Sequence, residues 1–169
     1  IKHFEALPNF RQRWCTRILK IEAAQHFYQQ FDSAEVYVAL RADEQSRQGN
    51  TGKALGDVPQ RFPLREWGWG LDEVWNYLNK RSVSIPARTD CGCCFFQRIG
   101  EWWKLWRYYP QRYAYYMQLE ASIGHTFMAP GKHVIWPHAL GKLAREFQKG
   151  RKPREIIRGE NEGCRVCSL

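Results

Sequence analysis

The feature that most constrains this chain is the placement of its six cysteines. Cys91, Cys93 and Cys94 form one cluster, and Cys164 and Cys167 form a second. The sixth cysteine, Cys15, stands alone. A chain of 169 residues exceeds the usual size of small disulfide-dependent domains, and its first residues lack the apolar run of a secretory signal. We therefore expect a cytoplasmic protein in which clustered thiols form a metal or redox site, with buried structural thiols and disulfides as alternatives.

The two Cys-x-x-Cys pairs are each able to turn both sulfurs towards one centre. Thiolates are soft ligands that suit zinc or an iron–sulfur cluster. A four-cysteine zinc site from Cys91, Cys94, Cys164 and Cys167 is chemically reasonable, but the two pairs lie much farther apart than in a compact zinc ribbon. A cluster held by Cys15, Cys91, Cys94 and one C-terminal cysteine is equally compatible, so spacing leaves both metals open.

The composition favours a folded, basic protein. Apolar residues make up 44% of the chain, and eight tryptophans supply large core side chains, which argues against intrinsic disorder. The formal net charge is +9, which suits an anionic nucleotide or, as the second option, nucleic acid. No apolar run approaches the roughly 20 residues of a membrane span, so we expect no membrane partner.

An apolar run at 35–40 predicts a buried strand of a parallel sheet, after a helix at 11–31. Arg41 and Arg47 follow this strand at the edge where open α/β sheets bind ligands. Arginines there suit bidentate capture of phosphate or sulfate. The alternative is a solvated loop. The neighbouring Asp43 and Glu44 are candidate salt-bridge partners or groups that orient the arginines.

The remaining segments predict an α/β fold with a mostly helical C-terminal half. In chain order they are a second short strand or an extended segment at 61–67, a helix at 71–80, one long helix or two helices broken near Pro110 at 97–122, and a helix at 139–149.

Aromatic and basic residues alternate at 101–109, which is a pattern that can stack single-stranded nucleic acid. Trp102, Trp106 and Tyr109 share one helical face, and this spacing favours a place in the core instead. The five histidines show no metal-binding spacing, and no independent catalytic centre is visible from the residues.

Several segments occur in an order that resembles the phosphoadenosine phosphosulfate (PAPS) reductase family, within the adenine nucleotide alpha-hydrolase-like superfamily. They are Trp14–Ile21, Leu40–Arg47, Phe62–Trp67 with Asp72–Leu78, Asp90–Gln97 with Glu101 and Trp102, and Cys164–Cys167. The cysteine segments are similar to those of phage- and plasmid-type, cluster-bearing relatives, which include putative sulfurtransferases and accessory proteins of mobile-element defence loci.

The resemblance implies a Rossmann-like α/β fold, a partial parallel sheet that binds an adenine nucleotide, and a [4Fe-4S] cluster. By the same resemblance Cys15, Cys91 and Cys94 are cluster ligands, and Cys164 or Cys167 completes the set. Arg41 and Arg47 would then face the sulfonucleotide. The family's Ser-Gly-Gly-x-Asp-Ser phosphate loop has no counterpart here, so we expect the chain to be the later part of a larger nucleotide-binding fold.

These expectations divide the chain into a PAPS-reductase-like α/β region at 1–90 and a helical, cysteine-rich region at 91–169. The leading hypothesis is an iron–sulfur protein that acts on an adenylated or sulfonucleotide substrate. A reductase type and a sulfurtransferase type, with a persulfide on Cys93 or Cys167, are both open. The alternative is a non-catalytic module, stabilised by a cluster or by zinc, that binds nucleic acid or a protein partner. The oligomeric state stays open, a homodimer included.

Overall fold

We describe the chain from a computed structural model, which covers residues 1, 4–9, 11–47, 58–85, 91–129 and 135–154. The described elements are mostly helical and include two short strands. In chain order they are α1 (Trp14–Thr16), a π-helical segment (Arg17–Glu22), α2 (Ala23–Tyr28), β1 (Val36–Tyr37), β2 (Gln60–Arg61), α3 (Pro63–Glu66), α4 (Leu71–Lys80), α5 (Ile99–Tyr108), α6 (Pro110–Ile123) and α7 (Leu140–Gln148).

The described residues form two compact units. Unit 1 combines Ile1–Trp14 with Asp90–Arg158, and unit 2 contains Cys15–Thr89. The first fourteen residues belong to the same unit as helices α5, α6 and α7.

A small parallel sheet lies in unit 2. Val36 pairs with Gln60 and Tyr37 with Arg61, and the Val38 amide donates a hydrogen bond to the Arg61 carbonyl oxygen over 2.9 Å. The prediction of helices combined with parallel strands is therefore confirmed. The prediction of a buried strand over 35–40 is wrong, because β1 has two residues and Tyr37 is 61% exposed. Successive side chains of a strand point to opposite faces of the sheet. The described residues cover only the face of β1 that carries Val36, and Tyr37 lies on the other face.

The helices of unit 2 follow local signals. The predicted extended segment at 61–67 turns into α3 at Pro63, since a proline in the first helical turn loses no hydrogen bond there. Helix α4 has the predicted bounds. Its start is fixed by Glu73, whose carboxylate accepts a hydrogen bond from the Gly70 amide over 2.8 Å.

The core of unit 1 lies between α5, α6 and α7. Trp102, Leu140 and Leu143 are its largest fully buried side chains. Helices α5 and α6 are separate, as Pro110 predicts, because proline cannot continue the hydrogen bonding of the preceding helix. Gly124 ends α6 with a φ of 75°, a left-handed conformation that glycine adopts without strain.

A buried carboxylate ties these helices together. The Glu120 oxygens accept hydrogen bonds from the Phe127 amide over 2.9 Å and from the Leu140 amide over 2.6 Å. The Tyr113 hydroxyl donates to the Leu140 carbonyl oxygen over 2.8 Å. Burial raises the pKa of Glu120, although its two backbone hydrogen bonds act in the opposite direction.

The face that the sequence assigns to the core at 101–109 is only partly buried. Trp102 is fully buried, whereas Tyr109 is 57% exposed. Helix α5 ends at Tyr108, so its periodicity does not extend to Tyr109. Within the described ranges, no helix is both long and apolar enough to cross a membrane.

Candidate functional site

The first cysteine cluster forms a hydrogen-bonded turn just before α5. The Cys94 amide donates to the Cys91 carbonyl oxygen over 3.2 Å, and the Gln97 amide donates to the Cys94 carbonyl oxygen over 3.0 Å. Cys91 is exposed, Cys93 is half-buried and Cys94 is buried, and all three thiols are free of disulfide bonds. The Cys91–Cys94 pair therefore lies on one tight turn, as the Cys-x-x-Cys spacing predicts. We call residues 91–94 the cysteine turn.

Tyr116 of α6 packs against the cysteine turn. A Cβ atom added to Gly92 would lie 2.6 Å from the Tyr116 hydroxyl oxygen, so residue 92 has room only for a glycine. The pKa of the Tyr116 hydroxyl is raised, first by burial and then by the charge of Cys93. The Tyr116 hydroxyl therefore lies close enough to the cysteine turn for the two to influence each other electrostatically. Sequence reasoning missed Tyr116, because nothing in the spacing of α6 links it to a residue in a distant loop.

The cysteine turn supplies two of the four ligands of the predicted set. Cys91 and Cys94 share the cysteine turn, while Cys15 is half-buried on α1 of unit 2. Cys164 and Cys167 lie outside the described residues. Within the described part of the chain, no three His, Cys, Asp or Glu side chains form a metal-binding group. The chemistry of the turn fits zinc and an iron–sulfur cluster equally, so the ligand set stays a prediction.

The two arginines at the end of β1 are held by carboxylates of their own loop. Arg41 Nε donates to Asp43 Oδ1 over 2.8 Å, and Arg47 Nη1 donates to Glu44 Oε1 over 2.6 Å. The side chains of Arg41 and Arg47 are 16% and 18% exposed. An anionic ligand would therefore bind Arg41 and Arg47 while they also contact the Asp43 and Glu44 carboxylates. Their role in substrate binding stays a prediction.

Arg65 of α3 fixes the backbone of residues 41–47, which we call the strand-end loop. Its Nη2 donates to the carbonyl oxygen of Glu44 over 2.6 Å and also to that of Arg47, and its Nε donates to that of Arg41 over 3.4 Å. Sequence reasoning quoted Arg65 only as part of the Phe62–Trp67 segment and gave it no role. Its acceptors are backbone carbonyls, which leave no mark in a sequence.

Asp43 connects the same loop to α4. Its Oδ2 accepts a hydrogen bond from the Leu71 amide over 3.2 Å, at the start of that helix. Its pKa is lowered, chiefly by the hydrogen bond from Arg41. The strand-end loop is therefore held in place by Arg65 on one side and by the N-terminus of α4 on the other.

Comparison of the chain with protein-family models, with curated proteins and with solved structures found no match. The likeness to the PAPS reductase family thus remains a resemblance of motifs.

Proposed function

We propose that this chain is a PAPS-reductase-like iron–sulfur protein that acts on an adenylated or sulfonucleotide substrate. The cysteine turn carries the proposal, because Cys91 and Cys94 lie on one hydrogen-bonded turn. The parallel pairing of β1 and β2 supports a Rossmann-like fold, since parallel strands joined by a crossover are its building unit. Arg41 and Arg47 follow β1 along the chain, which is consistent with a ligand-binding loop after this strand.

In this proposal Cys15, Cys91, Cys94 and either Cys164 or Cys167 hold a [4Fe-4S] cluster. A bound cluster would supply electron transfer or a Lewis-acid iron. The Tyr116 hydroxyl lies against Gly92 of the cysteine turn, so this side chain would form part of the wall around the ligands. Arg41 and Arg47 orient an anionic group of the nucleotide, while Arg65 keeps their loop rigid.

Cluster content separates the ligands from the remaining cysteine of the turn. We would purify the chain anaerobically and measure iron, acid-labile sulfide and the visible absorption spectrum. Cys91→Ser and Cys94→Ser should each lose most of the iron. The matched control, Cys93→Ser, should keep it, because adjacent residues 93 and 94 direct their sulfurs apart. A colourless protein that contains zinc but neither iron nor sulfide would refute the cluster and favour a zinc-stabilised module.

The two types differ in whether they need a persulfide-carrying cysteine. The sulfurtransferase type needs Cys93 or Cys167 for this purpose, and the reductase type needs neither. A Cys93→Ser or Cys167→Ser variant that keeps the cluster but loses sulfur transfer indicates the sulfurtransferase type. Substrate reduction that survives both substitutions indicates the reductase type.

A second candidate is a non-catalytic module that binds single-stranded nucleic acid, and exposed aromatic side chains of α5 and α6 favour it. Tyr108, Tyr109 and Tyr115 are 65%, 57% and 52% exposed, and the Arg112 guanidinium lies 5.8 Å from the ring centre of Tyr109. Stacking on such rings contributes about 1–3 kcal/mol per base.

The test is binding of a short single-stranded oligonucleotide at several salt concentrations. Tyr109→Ala should weaken binding about tenfold, by the loss of one stacked base. Tyr37→Ala is the matched control, because Tyr37 is 61% exposed and also lies beside an arginine. Equal effects of the two substitutions, or affinity that does not fall with salt, would exclude this candidate.

A further inference from the structure

Unit 1 contains an open cavity of about 750 Å³ at the N-terminal end of α5. This volume lies within the range of small-molecule sites. Five cationic residues and a single carboxylate line it: Arg98, Lys104, Arg151, Lys152, Arg154 and Glu101. We call it the basic groove.

Arg151 is a fixed member of the basic groove. Its guanidinium lies 4.0 Å from the ring centre of Trp136, and its Nη1 and Nη2 donate to Glu146 and to the Ile135 carbonyl oxygen. Lys152 and Arg154 are exposed, and within the described residues no carboxylate pairs with either of them. Among the described residues, the positive charge of the groove is therefore only partly balanced.

The first turn of α5 adds a partial positive charge to the same place. The Arg98 amide donates a hydrogen bond to the Glu101 carboxylate over 2.7 Å. A Cβ atom added to Gly100 would meet no atom within 4 Å, so the backbone there is open to a ligand. The leading amide groups of a helix have no partners within the helix, and they favour an anion.

Gln97 adds an unpaired, buried amide to the wall of the basic groove. It lines the groove and is 6% exposed, yet neither its amide nitrogen nor its amide oxygen has a hydrogen-bond partner within the described residues. Buried polar groups in folded proteins are nearly always paired. A ligand with a donor and an acceptor beside this amide would satisfy both atoms after a rotation of the side chain.

We propose that the basic groove binds a small phosphorylated organic molecule. The phosphate lies at the start of α5, between Lys152 and Arg154, and the organic part lies on the apolar wall formed by Met128 and Ile135. The inference is separate from the proposed function, because none of the described cysteines lines the groove, and Arg41 and Arg47 belong to unit 2.

Calorimetric titration of the full chain tests the proposal with four probes: AMP, ribose 5-phosphate, inorganic phosphate and adenosine. AMP and ribose 5-phosphate should bind, inorganic phosphate should bind more weakly, and adenosine should give no measurable heat. The double variant Lys152→Gln/Arg154→Gln should weaken AMP binding roughly tenfold, since each cation contributes a charge-assisted contact.

The matched control removes one arginine and one lysine outside the basic groove, as Arg107→Gln/Lys142→Gln. Both residues are exposed in unit 1, so the net charge changes equally. Equal weakening by the two double variants, adenosine binding as tight as that of AMP, or no binding of any phosphate probe would each overturn the proposal. AMP affinity that is unchanged in the groove variant would also overturn it, and would leave the proposed function standing.

Discussion

Glu120 Oε2 accepts a hydrogen bond from the Leu140 amide over 2.6 Å, joining α6 to the first residue of α7. Its Oε1 accepts the Phe127 amide, so both carboxylate oxygens face backbone donors. Replacement of one oxygen by an amide NH₂ group sets a donor against a donor. We expect Glu120→Gln to lower the free energy of unfolding by about 1–3 kcal/mol. Denaturant titration measures it, and Glu5→Gln at an exposed position of the same unit should change little.

The raised pKa of Glu120 predicts a pH dependence of stability. The folded chain holds this proton more tightly than the unfolded chain, so folding is favoured where the carboxyl is protonated. Its contribution is present in full below the ordinary pKa of 4.5 and is lost as the pH rises through the raised folded value. Unfolding free energies measured across this window should fall more steeply in the wild-type chain than in Glu120→Gln. Parallel curves would contradict the assignment.

Leu143 should be one of the most sensitive core positions. It is fully buried beside Trp102 and Leu140, so Leu143→Ala leaves a cavity as well as losing buried apolar surface. We expect a loss of about 2–5 kcal/mol. The same change at Leu19, which is 69% exposed, should stay within about 0.5 kcal/mol. Thermal or chemical unfolding of both variants gives the comparison.

The contact between Gly92 and Tyr116 is open to a double-mutant cycle. Gly92→Ala places a methyl group against the Tyr116 hydroxyl and should cost about 1–3 kcal/mol. Addition of Tyr116→Phe removes that hydroxyl and should recover part of the loss, so the two effects should not be additive. Gly100→Ala is the control, because an added Cβ there meets no atom within 4 Å.

An apolar residue at position 97 should give a more stable protein than the native glutamine. Gln97→Leu removes a buried amide that lacks partners within the described residues, so the free energy of unfolding should rise by about 1 kcal/mol. Gln118→Leu at an exposed position of α6 should leave it nearly unchanged. A large loss of stability in Gln97→Leu would show that the amide is hydrogen-bonded in the folded protein.

Arg65 should control the order of the strand-end loop. Arg65→Ala removes the donors that hold the carbonyl oxygens of Arg41, Glu44 and Arg47. Amide hydrogen exchange at 41–47 should become faster, while exchange in α7 stays unchanged. Arg81→Ala is the control, since Arg81 is exposed and lies over the Tyr77 ring. Equal exchange in both variants would contradict this role.

Local signals predicted the elements that depend on local chemistry. Pro110 separates α5 from α6. Asp72 and Glu73 lie in the first turn of α4 and mark the start of that helix. Turn spacing likewise predicted that Cys91 and Cys94 share one turn. Each of these features depends on residues within a few positions of one another, where propensity and spacing decide the outcome.

Features made by distant residues were not predictable in the same way. An apolar run at 35–40 suggested a buried strand, but the burial of Tyr37 depends on what covers it and not on its own sequence. The contacts of Arg65 with backbone carbonyls, and of Tyr116 with the cysteine turn, need the tertiary fold before they exist. The polar Glu120 gave no sign that it would be buried in a helix of mixed polarity.

Leu7 lies in the same buried cluster as Trp102 and Phe147, although most of unit 2 intervenes along the chain. During synthesis the N-terminal segment leaves the ribosome long before its packing partners exist. Unit 1 therefore cannot complete its core until α7 has emerged, whereas the strands and helices of unit 2 are already available to fold. Leu7 is therefore without its buried partners until the last helix of unit 1 has been synthesised.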